Sequence, residues 1–360
     1  MKRFDIVIIS FGDVKYDGRL IEIIKNCEEA GSTYVISSKS PNNKSKIGLI
    51  ISYLFFLFKS VAIFSYLRLK NKKIILFLDN FYTAPIGNTV HFLFKKTKIV
   101  QDCRELYFKE EMPGLGYYLC LSEEKLMKKS SLVFCGNSFR ANIMKDKFGL
   151  ENKPVVFDNI RFLEKNSYSK TELEDKYKTL FDSKWNVIST GGYSLARKTE
   201  ELVRSFKDLD KFSLYIIGSG LPKEKKILEE IIVNEEIKNV FFLNKIPMNE
   251  LSFVLSKCQI GVVAYGQHNL NNEYCSSGKI YEYMGLGIPF VATENIPLKE
   301  ICEQFNVGYS CNDFQRSLLN VSTEYEVYKK NITTFLTTVD LDENNRNMIS
   351  SIKKILTAEE

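Results

Sequence analysis

Short apolar runs rich in β-branched residues alternate with helix-length segments along most of the chain. The runs FDIVIIS (4–10), TYVIS (33–37), KIILFL (73–78), KIVQD (98–102), SLVFC (131–135) and PVVFD (154–158) predict six strands. Their near-continuous apolar character is that of strands covered on both faces. Helical segments separate them, one around 20–30 and a long apolar one over IGLIISYLFFLFKSVAIFSYL (47–67). That order implies a parallel sheet with helices on both sides. Residues 159–184 break the rhythm with a polar, Lys- and Ser-rich stretch that reads as a linker and a short helix. It restarts with WNVIST (185–190), SLYIIG (213–218), NVFFL (239–243), IGVVAY (260–265), PFVAT (289–293) and VGYSC (307–311). The expected fold class is α/β: two Rossmann-like, doubly wound domains facing across a cleft, with ligands at the carboxyl ends of the strands.

Composition agrees with this layout and removes other classes. The 360 residues suit two domains, and 44% hydrophobic with 26% charged residues is a globular balance. Eight cysteines without a Cys-x-x-Cys pair, and only two histidines, His91 and His268, argue against a metal site. Met1-Lys2-Arg3 runs straight into the first strand, so a reducing cytosol with free thiols is expected. A net charge of +6, interleaved with 44 acids, argues against a nucleic-acid binder and leaves open a basic face toward an anionic membrane. The 47–67 stretch is almost long enough to span a bilayer. Lys59 near its middle, with Lys70, Lys72 and Lys73 beyond, favours a soluble or interfacial helix instead.

Candidate chemistry lies in the polar, Gly-bearing turns after the strands: FGDVKYDGR, LDNFYTAP, DCRELYF, TGGYSLARK, GSGLPK and the loop into SSGKIYEYMGLGIPFVAT. In the last, Ser276, Ser277 and Gly278 open a helix whose free N–H groups suit a phosphate. Lys279 either adds its charge there or pairs on an exposed face with Glu282 at i,i+3. Asp17 and Arg19 read as the cap and an ion-pair partner at the next helix, or as groups facing the cleft.

Taken in order, DGRLIEIIKNCEEAGSTYVIS, KIVQDCRELYFKE, GGYSLARKTEELVRSF, LYIIGSG, SSGKIYEYMGLGIPFVA and PLKEI resemble the retaining, nucleotide-sugar-dependent glycosyltransferases of GT-B fold, specifically family 4 of bacterial polysaccharide biosynthesis. The resemblance implies an acceptor-side domain over 1–165 and a nucleotide-sugar-binding domain over 166–338. A last helix, 339–360, would pack back on the first. It implies that Glu282 binds the ribose hydroxyls of the donor. The diphosphate would meet Ser276, Ser277, Gly278, Lys279 and Arg197, with Gly192, Gly218, Gly220 and Gly12 in the donor-side turns. Lys198 falls where the family sets a cation against the leaving phosphates, stabilising the transition state more than the ground state. Asp102, Arg104 and Glu105 are the implied catalytic group of the first domain.

Arg104 stands where the family often has His, and it stays protonated, so it cannot act as a base. Tyr274, with Glu273 one residue off, and Tyr193 stand where the family commonly has Glu and Arg. The implied function is hexosyl transfer from a nucleotide-diphosphate sugar to a growing, lipid-linked surface glycan. The implied setting is the cytoplasm, peripheral at the inner face of the plasma membrane. No metal or cofactor is implied beyond the donor substrate, and no nucleic-acid partner. The three departures support an alternative, a noncatalytic GT-B-like subunit that binds a partner transferase or an acceptor.

Overall fold

The computed structural model of the chain describes residues 4–14, 17–38, 46–163 and 170–358. Among the described residues twelve strands form two sheets of six, every pairing parallel. The first sheet comprises β1 (Ile6–Ser10), β2 (Thr33–Ser37), β3 (Ile75–Asp79), β4 (Ile99–Cys103), β5 (Leu132–Cys135) and β6 (Val155–Val156), ordered β2-β1-β3-β4-β5-β6. The second comprises β7 (Trp185–Thr190), β8 (Phe212–Ile217), β9 (Val240–Leu243), β10 (Ile260–Val263), β11 (Phe290–Ala292) and β12 (Gly308–Ser310), ordered β12-β11-β10-β7-β8-β9. Each of the twelve apolar runs became a strand, and the α/β, doubly wound class is the observed one.

Two compact units result: residues 1–159 with 341–360, and residues 160–340. The division falls before 160 rather than after 165. Ile160 and Leu163 pack against the second unit's core, which commits the chain earlier than its polar composition suggests. The short helix foreseen in that stretch spans Lys170–Tyr177, and its Leu173 is buried in the same core.

Strand alternation gives each sheet two apolar layers. In the first unit, Val7, Ile9, Leu76 and Leu78 meet Phe56 and Phe64 of the helix Lys46–Lys70. On the opposite face Ile6, Ile8, Ile75 and Phe77 meet Leu20, Ile23 and Cys27 of the helix Gly18–Ala30, together with Met348 and Ile352 of the terminal helix Leu341–Thr357. All eight cysteines are free thiols, seven of them buried.

Candidate active site

Loops diverge to opposite faces where the strand order of a doubly wound sheet reverses, which leaves a crevice at the carboxyl ends. In the second sheet this switch lies between β7 and β10. The turn after β7 holds Gly191 and Gly192 at φ 96° and 84°, and β8 is followed directly by Gly218 at φ 126°. Side chains have no room here: a Cβ on Gly192 would sit 2.0 Å from the Ser219 carbonyl oxygen, and one on Gly218 2.5 Å from the Gly192 nitrogen. The two turns are packed backbone on backbone, with the Gly192 N–H donating to Ile217 O at 2.7 Å. Gly220 admits Tyr193 in the same way, and Tyr193 is buried with its ring edge-on to Phe242.

The helix Lys279–Met284 is locked against this switch. The ring of Tyr283 fills the space over Gly261 in β10, where a Cβ would be 2.3 Å away. Its hydroxyl meets Thr190 Oγ1 at 3.1 Å and donates toward the carbonyls of Ile188 and Val262. Two charges are thereby fixed. Glu282, 3% exposed, accepts from Arg161 Nε at 2.5 Å. Lys279 turns inward, its Nζ 2.9 Å from where a Cβ on Gly191 would stand.

Lys279 and Arg197 share one aromatic neighbour, Tyr265, whose ring centroid is 6.0 Å from the first and 5.5 Å from the second. Among the described residues neither cation forms an ion pair. Burial first, then Arg197, pushes the Lys279 amine down to about 8, against the pull of Glu282. Two residues earlier, the Ser277 hydroxyl is buried without a hydrogen-bond partner among the described residues. Ser276 and Gly278 complete that turn. A half-buried ammonium and an exposed guanidinium, neither with a carboxylate partner, beside an unsatisfied buried hydroxyl favour an anion with several oxygens.

Lys198, in the left-handed region at φ 57°, donates instead to Asn312 Oδ1 at 3.0 Å. Asn312 in turn donates to Glu294 Oε2 at 2.9 Å. Glu273 closes a one-turn helix, Leu270–Glu273, just before Tyr274. Sequence reading missed Arg161 and Tyr265. Arg161 lay in the presumed linker, and Tyr265 was taken only as the end of a strand.

The first sheet reverses between β1 and β3. Ser10 and Asp79 are register partners there, as are Asp79 and Asp102, so three polar side chains line up on one face. Ser10 Oγ donates to Asp79 Oδ2 at 2.5 Å. Arg19 grips Asp102 through Nε at 3.0 Å and Nη2 at 2.7 Å, and donates to Phe157 O at 2.9 Å. Arg104 is held by Asp79 and by Asp17, which also caps the helix Gly18–Ala30 at Leu20 N. Burial, opposed by Arg104 and aided by Asp102 and Asp17, raises the Asp79 carboxyl to about 6. Asp102 is fully buried, while Glu105 is partly exposed, 4.0 Å from Arg140. Gly12 lies beside Ser10 and Asp17 in the turn after β1. No group of three His, Cys, Asp or Glu among the described residues is placed to hold a metal ion.

Residues 186–320 match the family model described as Glycosyl transferases group 1. No curated protein matches the chain. Among solved structures, HepE of Anabaena in complex with UDP-glucose is 14% identical, with a TM-score of 0.74, covering 98% of this chain and 100% of its own. Sucrose-phosphate synthase from Thermosynechococcus elongatus is also 14% identical, with a TM-score of 0.68 and coverage of 98% and 96%. The E. coli trehalose-6-phosphate protein bound with UDP-2-fluoro glucose is 10% identical, with a TM-score of 0.68 and coverage of 97% and 99%. At such identities the likeness is one of fold: two doubly wound domains of GT-B type. By the family match, the second unit carries a glycosyl transferases group 1 domain, and the protein is a glycosyltransferase.

Proposed function

We propose that the protein is a retaining glycosyltransferase, related to family 4, that moves a hexosyl group from a nucleoside-diphosphate sugar to a growing, lipid-linked surface glycan. Its place would be the cytoplasmic face of the plasma membrane. UDP is the favoured nucleotide, since two of the similar structures hold UDP-sugars. One observation carries the reading: Lys279 and Arg197 converge beside the Gly191 turn with no carboxylate paired to either among the described residues. A diphosphate supplies the missing charge.

Glu282 has two oxygens and accepts from adjacent ribose hydroxyls, with Arg161 holding its orientation. As the glycosidic bond breaks, charge grows on the leaving phosphate, and cations already in place stabilise it. Lys198 keeps the leaving-group role that the family resemblance implies, and would exchange its hydrogen bond to Asn312 for a phosphate oxygen. Front-face displacement lets the departing phosphate take the acceptor proton, so partly exposed Glu105 serves to orient the acceptor, with Arg104 held in place beside it by Asp79 and Asp17 and with Asp102 buried behind it on Arg19. No metal is required in this scheme. The alternative, a noncatalytic subunit, is favoured by one observation: carboxylates already occupy Arg104.

The test is UDP and UDP-sugar titration of wild type and Glu282→Ala, with transfer to lipid-linked acceptors followed in parallel. The variant is expected to bind at least about tenfold more weakly and to transfer nothing. Binding unchanged in Glu282→Ala removes the donor-site assignment. Wild type that binds UDP-sugars but neither transfers nor hydrolyses them, with or without added chelator, establishes the noncatalytic reading.

A further inference from the structure

The helix Lys46–Lys70 has two apolar faces, and the first unit uses only one. Phe56 and Phe64 enter its core, with Tyr53, Ser60 and Arg68 buried on the same side. Around the other side Ile47, Ile51, Leu54, Phe55, Phe58 and Leu69 are exposed, Phe58 to 75% and Leu69 to 74%. At about 100° per residue these positions fall in one stripe along a helix about 37 Å long. Lys59 and Lys70 lie together along one flank of that stripe, about 100° from its centre.

The helix Ala84–Leu93 runs alongside. Tyr53 Oη donates to Tyr82 O at 2.7 Å near one end, and Arg68 Nε donates to Thr97 Oγ1 at 3.2 Å near the other. The two C-terminal ends therefore lie side by side. Exposed Phe92 and Leu93, followed by Lys95 and Lys96, come next to Lys70, Lys72 and Lys73. Charge is segregated to match: residues 30–101 contain eleven lysines and arginines and one acid, Asp79, which is buried. In the whole chain 50 cations face 44 acids, so this segment is far from the average.

An apolar stripe bordered by amines, without acids, fits acyl chains below and lipid phosphates above. A second copy of the chain fits worse, because two such faces oppose like charges. Crossing the bilayer would take Phe56 and Phe64 out of the core. It would also remove the crossover that lets β2 and β3 both pair in parallel with β1.

We propose that the outer face of the helix Lys46–Lys70, with Phe92 and Leu93, is an in-plane docking surface for an anionic lipid bilayer. This deepens the proposed function and rests on its reading of a lipid-linked acceptor.

Vesicle sedimentation of the full chain tests it, using phosphatidylcholine alone and phosphatidylcholine mixed with phosphatidylglycerol. Wild type is expected to bind the mixed vesicles, at least about tenfold more weakly without the anionic lipid. F55S/F58S alters only exposed side chains and is expected to lose about tenfold or more. F58W should show a blue-shifted emission on the mixed vesicles relative to wild type, whose single tryptophan, Trp185, belongs to the other unit.

Wild type that stays in the supernatant overturns the proposal, as does F55S/F58S that binds normally. A bound fraction that resists alkaline carbonate shows a spanning helix and also overturns it. So does a stable dimer that F55S/F58S dissolves. UDP titration of the same preparations without vesicles keeps the two readings apart. Normal UDP binding with no vesicle binding removes the docking surface alone, and the converse removes the donor site alone.

Discussion

Lys279 occupies a position where a positive charge is costly until an anion arrives. Its amine is pushed down to about 8, so between pH 8 and the ordinary lysine range the folded protein binds fewer protons than the unfolded chain. The second unit's stability therefore rises with pH across that window, and below it the charged amine is a standing cost. A bound diphosphate favours the ammonium and reverses the balance. Binding of UDP near pH 8 should take up a proton, and affinity should fall by up to about tenfold per pH unit above 8. Calorimetric titration in buffers of differing ionisation enthalpy reads the uptake, which Lys279→Met should abolish. Uptake that persists in Lys279→Met assigns it to another group. Glu282 and Lys279 could be singled out in the sequence because they share a short block of fixed spacing. Arg161 could not: it meets Glu282 across 121 positions, and no periodicity links an arginine in a polar stretch to a buried carboxylate.

At the scale of elements, the site depends on two turns that only glycine can build. Gly192 combines φ 84° with a Cβ position 2.0 Å from the Ser219 carbonyl oxygen, and backbone cannot move aside as a flexible side chain can. Gly192→Ala should destabilise the second unit by about 3 kcal/mol or more and weaken UDP binding together with it. Denaturant unfolding of the variant checks this, and a midpoint equal to wild type would show that the turn has a second packing. The strands themselves were legible because parallel strands buried on both faces must be continuously apolar. What each turn does was not legible. The TGGYSLARK motif marks its glycines, but the backbone that Gly192 meets, at Ser219, belongs to the neighbouring strand's loop, whose Gly220 in turn admits Tyr193. The same limit applies to DCRELYF. Spacing brings Asp102 and Arg104 into view, whereas register with Ser10 and Asp79 decides that both are enclosed in a carboxylate–guanidinium cluster.

For the whole molecule, the chain leaves the first unit at 159 and returns to it at 341, so the first unit is completed only when residues 341–357 are made. The terminal helix Leu341–Thr357 closes one face of the first sheet. Met348 and Ile352 are 1% and 0% exposed, and Asn344 and Asn345 hydrogen-bond to Asp158 and Asn26. Losing each buried aliphatic side chain costs about 2–5 kcal/mol, and a domain has only about 5–15 kcal/mol in hand. A chain ending at Asp340 should therefore retain the unfolding transition of residues 160–340 and lose that of the first unit. Cys27, buried in the same layer, would become reactive toward thiol reagents. Ile352→Ala tests the same layer more gently and should lower only the first unit's transition. Scanning calorimetry resolves the two units, and limited proteolysis identifies which one is cut. A truncated chain whose residues 1–159 still resist protease would show that the first sheet closes that face without the terminal helix.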